Sequence, residues 1–436
     1  MIHINFWKWD NLNSADREKI LSRSDTDIKG VMESVGRIIE DVKVNKDSAL
    51  IKYTKQFDKA DLSEIPLKVT EKEYDEAEKG LTPDVREALS WSIANVRKYH
   101  RKQLPEGFDS FEIRPGIFTG ERVTPIDSAG LYVPRGRGSF PSMLYMLSVP
   151  AVEAGVRRVC VVTPPNSDGT VDPACLYAAR LCGVSEIYRV GGAQAIAALA
   201  YGTESIKPVV KITGPGSVYV TAAKRLLYGK IDVGLPAGPS ESVIIADSSA
   251  DPYRAALDLL IEAEHGSDSS AVLITDSEEI AEKVKGYLSS IIENVPEPRK
   301  TFLSDVFRGY GGIILTSGLA ETAEIVNLYA PEHLQIATAD PIEASKLIRN
   351  AGEILLGQDT PFSIANYATG PNAVLPTGGM AKSFSPVSVR DFTKSTSLIY
   401  ADRKGLKDIT PHVIALADYE GFNTHAGALR MRKEQQ

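Results

Sequence analysis

Cysteine is scarce in this sequence, and what there is excludes two architectures. Cys160, Cys175 and Cys182 are the three cysteines in 436 residues, an odd number without a C-x-x-C spacing, so neither a disulfide framework nor a cysteine-ligated zinc site is expected. They read as small buried residues of a protein kept in a reducing compartment. Also missing is any apolar run of the ~18 residues that a membrane-crossing helix needs. The N-terminus, Met1 to Trp7, lacks the basic stretch and long apolar segment of a secretory signal, so a cytoplasmic protein is expected. Positive charge is not in excess: 49 Lys and Arg against 57 Asp and Glu give a net charge of −8, which argues against general binding to nucleic acid or to an acidic membrane. Low-complexity segments and short-period repeats are absent too.

What is present is the composition of a globular protein with sizeable cores, 43% hydrophobic and 24% charged, in a chain long enough for two or more domains. Residues 1–25 are short and aromatic, an arm that packs against something else. Helical patterns follow (Val31, Val35, Ile38, Ile39, Val42; then Val85, Leu89, Trp91, Ile93, Val96). After a turn-rich passage from Pro105 to Pro125, strands and helices alternate: strands near 159–163, 187–190 and 209–213, and helices near 173–181, 193–201 and 218–228. A second alternating block runs from Val243 to Leu356. That rhythm predicts an α/β fold of two Rossmann-like doubly wound domains, one inserted in the other. The expected first domain is 26–128 with 243–385, including a helical lead-in; the second, nucleotide-binding domain is 129–242. Residues 386–436 form a C-terminal tail with one short helix, Pro411–Asp418.

Three sets of residues carry candidate chemistry. In Leu260–Asp268 the apolar spacing predicts a helix capped by Gly266, which sets Glu262 and His265 one turn apart. A carboxylate and an imidazole so placed can share one divalent cation, and oxygen with nitrogen suits zinc. A solvated Glu and a His stabilised at the helix C-terminus would look the same in sequence. In Ala330-Pro331-Glu332-His333-Leu334, a turn started by proline can hold an acid beside a base, two proton acceptors for two different protons; a helix-starting Pro-Glu pair with an incidental His is the plainer alternative. Gly191-Gly192-Ala193-Gln194 and Gly214-Pro215-Gly216-Ser217 each follow a strand and precede a helix. Neither completes the dinucleotide fingerprint, yet both can present N–H groups to phosphates, as can any tight strand-to-helix turn. Glu420 and His425 repeat the carboxylate and imidazole pairing near the C-terminus.

With these segments in view, the chain resembles the histidinol dehydrogenase family, zinc and NAD enzymes of the last step of histidine biosynthesis. The likeness runs from about residue 30 through Gly130–Pro134, Gly191–Ala197, Gly214–Gly216, Ala237–Glu241, Ala263–Gly266, Ala330–Leu334 and Gly370–Gly379. Carried over position by position, the resemblance implies NAD contacts at Tyr132, Gln194 and Ser217. It implies a single zinc per subunit held by Glu262, His265, Asn366 and His425, with proton acceptors at Glu332 and His333. Substrate contacts would be Ser240, Glu262, His265, His333, Asn366, Glu420 and His425. It further implies a homodimer whose tail completes the neighbour's site, and oxidation of a primary alcohol, by default L-histidinol, through an aldehyde to a carboxylate. Several positions depart from the family. Glu262 and Asn366 stand where it carries Gln and Asp, which exchanges amide and carboxylate without changing total charge. Ser217 replaces Asn, and Ala373 replaces a His. Arg135 and Arg137 enter a mostly neutral loop, which raises a second reading, a paralogue that oxidises another small polar or anionic alcohol such as a dihydroxypropanesulfonate.

Overall fold

The computed structural model describes residues 2–23, 28–135 and 138–434. These form two units: residues 1–103 with 127–392, and residues 104–126 with 393–436.

The first unit contains two all-parallel sheets. The six-stranded one runs Phe6–Lys8, Gly312–Leu315, Ser270–Thr275, Glu241–Ala246, His333–Ala337, Glu353–Leu356 in spatial order. Its central strands are apolar on both faces because helices cover both. Ile244, Leu273 and Ile313 point to a core shared with the helices Pro252–Ala263 and Glu278–Glu293, whereas Val243, Ile245, Val272 and Ile274 point to the core that holds Tyr329 and Ile325. The arm expected at residues 1–25 therefore closes on its own chain. Its three-residue strand pairs parallel with Gly312–Leu315, and the Asn5 carbonyl accepts from Ile313 N–H at 2.9 Å.

The four-stranded sheet runs Glu186–Tyr188, Arg158–Val162, Ser128–Tyr132, Lys211–Thr213. The α/β expectation thus holds, with the smaller sheet inserted in sequence between the first and later strands of the larger. The helical lead-in sits differently from expectation. The helix Lys29–Phe57 packs on the helices Gly192–Tyr201 and Val218–Leu227, and Glu71–Gly80 packs on Pro173–Cys182. Val35, Ile39, Val42 and Leu50 join the core of the four-stranded sheet, not that of the six-stranded one. Cys160, Cys175 and Cys182 are buried as expected, and burial pushes each thiol up to about 12.

The second unit corrects two expectations. The passage read as turn-rich forms the strands Phe108–Arg114 and Ile117–Pro125, which pair antiparallel with each other, and Ile117–Pro125 pairs antiparallel with Thr393–Ala401 on its other side. The tail holds two helices, Arg403–Tyr419 and Asn423–Glu434, where one short helix was expected. Among the described residues no helix is long and apolar enough to cross a membrane.

Candidate functional site

Glu262 lies in the last turn of the helix Pro252–Ala263, which starts on Pro252 with the Asp251 carboxylate accepting from Tyr253 and Arg254 N–H. The helix ends one residue before Glu264, so His265 sits in the following turn and not on the helix as expected. The turn nonetheless brings the two together. Glu262 Oε2 is 3.3 Å from His265 Nδ1, and Glu262 Oε1 accepts from Asn366 Nδ2 at 2.6 Å. Asn366 arrives on the short helix Phe362–Tyr367. Ser240 Oγ is 2.9 Å from His265 Nδ1. Glu262 is 1% exposed.

Glu332 and His333 do not sit in an isolated turn. His333 opens the buried strand His333–Ala337 of the six-stranded sheet, and its Nε2 is 3.8 Å from Glu262 Oε2 and 3.8 Å from Glu332 Oε1. Glu332 Oε2 accepts from Glu241 N–H at 2.9 Å. Two side chains without a role in the sequence reading, Glu353 and Arg23, complete the surroundings. Glu353 Oε1 lies 2.6 Å from His333 Nδ1. The Arg23 guanidinium stacks 3.6 Å above the Tyr329 ring, and its Nη2 lies 3.4 Å from Glu241 Oε2. Nothing local announces these partners, because each lies on a distant segment.

The electrostatics follow from crowding carboxylates into a dry place. Burial raises the Glu332 carboxyl well above its ordinary value; His333 opposes the rise, while Glu262 and Glu241 add to it. Burial alone would lower His333, but Glu262, Glu332 and Glu353 overcome it and push the imidazole up to about 10. Glu262 is lowered: burial raises it, and His333, His265 and the Asn366 hydrogen bond outweigh that. The protein alone therefore holds surplus protons here.

That pattern fits a divalent cation. A buried carboxylate oxygen, an imidazole and an amide meet within hydrogen-bonding reach, and the Asn366 amide rotated about its last bond presents Oδ1 in place of Nδ2. Oxygen and nitrogen donors of this kind suit zinc, whose charge would displace the surplus protons. Among the described residues no three His, Cys, Asp or Glu side chains group so as to hold a metal; the first unit supplies two such residues plus an amide. His425, the expected fourth ligand, and Glu420 belong to the second unit. Both are exposed there, Glu420 at the end of one tail helix and His425 on the next, its ring 5.4 Å from that of Phe422.

The expected cofactor residues gather at the carboxyl ends of the four-stranded sheet, where doubly wound folds bind nucleotides. Tyr132 ends a strand, and its hydroxyl accepts from Gly192 N–H at 3.1 Å. Gln194 is 1% exposed, yet neither atom of its amide has a hydrogen-bond partner among the described residues. A buried, unpartnered amide is costly, so a bound group that pairs with it fits this position. At Gly214 φ is +118°, and a Cβ would lie 2.1 Å from the Tyr132 carbonyl oxygen. Ser217 is exposed and caps the helix Val218–Leu227 without a side-chain hydrogen bond. A cavity of about 730 Å³ opens beside this turn, lined by Gly214, Gly216, Lys224 and Pro236 among others. Its lining includes neither Tyr132, Gln194 and Ser217 nor any member of the Glu262 cluster.

Arg135, one of the two unusual arginines, is turned to this end too. Its Nη1 donates to the Pro165 carbonyl at 3.2 Å, and its charge opposes the burial that pushes Asp58 up to about 6. Arg137 lies outside the described residues. Ala373, the missing imidazole, is partly buried beside Asn372, whose Nδ2 donates to the Met146 carbonyl at 2.6 Å.

A family model for histidinol dehydrogenase matches residues 21–433. A histidinol dehydrogenase of Synechocystis sp. is 49% identical over 98% of this chain and 98% of its own length. A histidinol dehydrogenase homolog of Rhizobium meliloti is 50% identical over 98% of this chain and 94% of its own. The crystal structure of histidinol dehydrogenase from Elizabethkingia anophelis superposes with a TM-score of 0.95 at 33% identity, over 100% of this chain and 99% of that one. With a family model over residues 21–433 and relatives about half identical over nearly the whole chain, the chain belongs to the histidinol dehydrogenase family.

Proposed function

We propose that this protein is an NAD-linked, zinc-dependent dehydrogenase that oxidises a primary alcohol through an aldehyde to a carboxylate, with L-histidinol as its substrate. The observation that carries this reading is the convergence of Glu262 and Glu332 on His333, each 3.8 Å from its Nε2. Alcohol oxidation needs one proton removed from the hydroxyl; aldehyde oxidation needs another removed from an attacking water. When bound, zinc supplies Lewis-acid polarisation of the substrate oxygen and NAD accepts the hydride of each oxidation.

This chain's residues supply the rest. Glu262, His265 and Asn366 would hold the metal with His425, and Tyr132, Gln194 and Ser217 would hold NAD. His333 takes the hydroxyl proton at Nε2. Glu332 keeps Oε2 on the Glu241 N–H, which leaves Oε1 to take the proton of the water. The burial that raises its carboxyl makes it the stronger base for that step. Glu420 and His425, exposed on a unit with little core of its own, suit a homodimer in which the tail serves the neighbour. The second reading, an anionic alcohol, gains no support from Arg135, which faces Pro165 and Asp58.

The test is NAD reduction by the purified zinc-loaded protein with L-histidinol, its aldehyde and a panel of small alcohols that includes dihydroxypropanesulfonate. Twice as much NADH as alcohol consumed is expected with L-histidinol. Turnover of another alcohol in its place would overturn the substrate assignment and leave the chemistry standing. Glu332→Gln should slow aldehyde oxidation more than alcohol oxidation, by roughly 10²-fold against a smaller loss. Equal losses would refute the division of labour.

A further inference from the structure

We infer that Glu353 is the positioning residue for the His333 imidazole: it fixes the ring with Nδ1 protonated and Nε2 turned to the substrate, and it stabilises the cation formed when Nε2 takes a proton. This rests on the proposed role of His333, but the geometry that supports it is independent of the substrate.

Glu353 begins the edge strand next to His333, and the two are direct partners in a parallel register. The backbone holds that register tightly. Gly352 N–H donates to the Pro331 carbonyl at 2.8 Å and Glu353 N–H to the Glu332 carbonyl at 3.0 Å. A Cβ on residue 352 would stand 2.5 Å from the Glu332 carbonyl oxygen, so the approach requires glycine there. Paired residues project to the same face of a sheet, which puts carboxylate and imidazole side by side. Their contact is 2.6 Å, with side chains only 11% and 4% exposed.

An ionised carboxylate can only accept, so the hydrogen on this contact belongs to Nδ1, and in the neutral ring Nε2 then carries the lone pair. Nε2 is the atom that faces Glu332 and Glu262. Phe362 meets the ring edge-on at a centroid distance of 5.8 Å and an interplanar angle of 70°, which closes off rotation on that side. A carboxylate buried at the start of an edge strand without such a partner would be costly. The arrangement has the logic of a buried acid holding a catalytic histidine in the productive tautomer.

Glu353→Gln and Glu353→Ala test this in the zinc-loaded enzyme, with metal content and melting temperature measured alongside. Glutamine keeps an acceptor for Nδ1–H but no charge; alanine keeps neither. The expected result is a graded loss in kcat, ~10-fold for Gln and ~10²-fold or more for Ala, with KM for alcohol and NAD within about twofold. A second readout needs no turnover. With ¹⁵N-labelled histidine, the His333 Nδ1 proton should resonate far downfield in the natural protein, persist at a smaller shift in Glu353→Gln and vanish in Glu353→Ala. An unchanged kcat in Glu353→Ala, a loss that appears in KM alone, or a downfield proton that survives the alanine change would each overturn the inference. If Glu353→Ala does not fold, a Glu353→Gln variant with unchanged kcat and proton shift would overturn it as well. If the natural protein oxidises no alcohol tested, the proton signature still decides the role of Glu353, and the failure falls on the proposed function alone.

Discussion

At the scale of single residues, the exchange of amide and carboxylate between positions 262 and 366 is now a physical contact, Asn366 Nδ2 on Glu262 Oε1 at 2.6 Å. Two groups that touch do not contribute independently. Glu262→Gln alone would leave two amides and should cost roughly 10- to 100-fold in zinc affinity, whereas adding Asn366→Asp should recover most of it. Metal content after dialysis against graded chelator decides this; equal zinc in the single and double variants would show that the positions do not share the ion. Asp58, at the end of the helix Lys29–Phe57, offers a cleaner titration. Burial pushes its carboxyl up to about 6, from an ordinary 3.8, with Arg135 opposing. A raised acid favours folding only while protonated, so its contribution is complete below about pH 3.8 and is lost as pH rises through 6. Asp58→Asn should therefore match the natural protein near pH 4 and exceed its stability above pH 6, by about 1 kcal/mol once partial solvation is allowed for. Denaturant midpoints at the two pH values measure it, and an equal difference at both would contradict the assigned cause.

At the scale of elements, what was legible in the sequence is what depends on near neighbours. The alternating blocks from 158 to 356 emerged as strands and helices because burial on both faces gives strands a continuous apolar run, as in Val243-Ile244-Ile245. Phe108–Arg114 escaped because all seven of its residues are exposed, so no burial pattern marks it as a strand. Phe6–Lys8 is too short to show a period and exists through its pairing with residues some 300 positions away. The site divides in the same way. Glu262, His265, Glu332 and His333 were visible as local pairs, but Pro331 suggested an isolated turn, and Glu353 and Arg23 reach the cluster only through sheet register and tertiary packing. The glycine turn after Lys211–Thr213 lies between these cases, since its motif was visible and its reason was not. A Cβ at 214 would meet the Tyr132 carbonyl at 2.1 Å in a backbone region that favours glycine. Gly214→Ala should displace that loop and weaken NAD binding by at least ~10-fold, read by titration calorimetry, with zinc content unchanged. Unaltered NAD affinity would separate this turn from the cofactor.

At the scale of the whole molecule, the second unit exposes more apolar surface than a free-standing module tolerates. Phe111 is 61% exposed, Ile399 78%, Leu416 63% and Tyr419 91%, and side chains of that size in water mark a surface meant to be covered. Glu420 follows directly on Tyr419, and His425 lies on the next helix, Asn423–Glu434. A homodimer built through this unit would cover these apolar side chains and carry both polar side chains toward the neighbour's site, where His425 would be the second imidazole of the proposed metal site. The consequence is testable with two inactive chains. In a mixed dimer of His333→Ala and His425→Ala protomers, tail exchange places both lesions in one site and neither in the other. Random reassociation of equal amounts should give heterodimers as about half of all dimers, and so about a quarter of the natural specific activity. Native mass measurement establishes that heterodimers have formed. If they form and activity stays at the level of the parent variants, each tail serves its own subunit and the dimer has no part in completing the site.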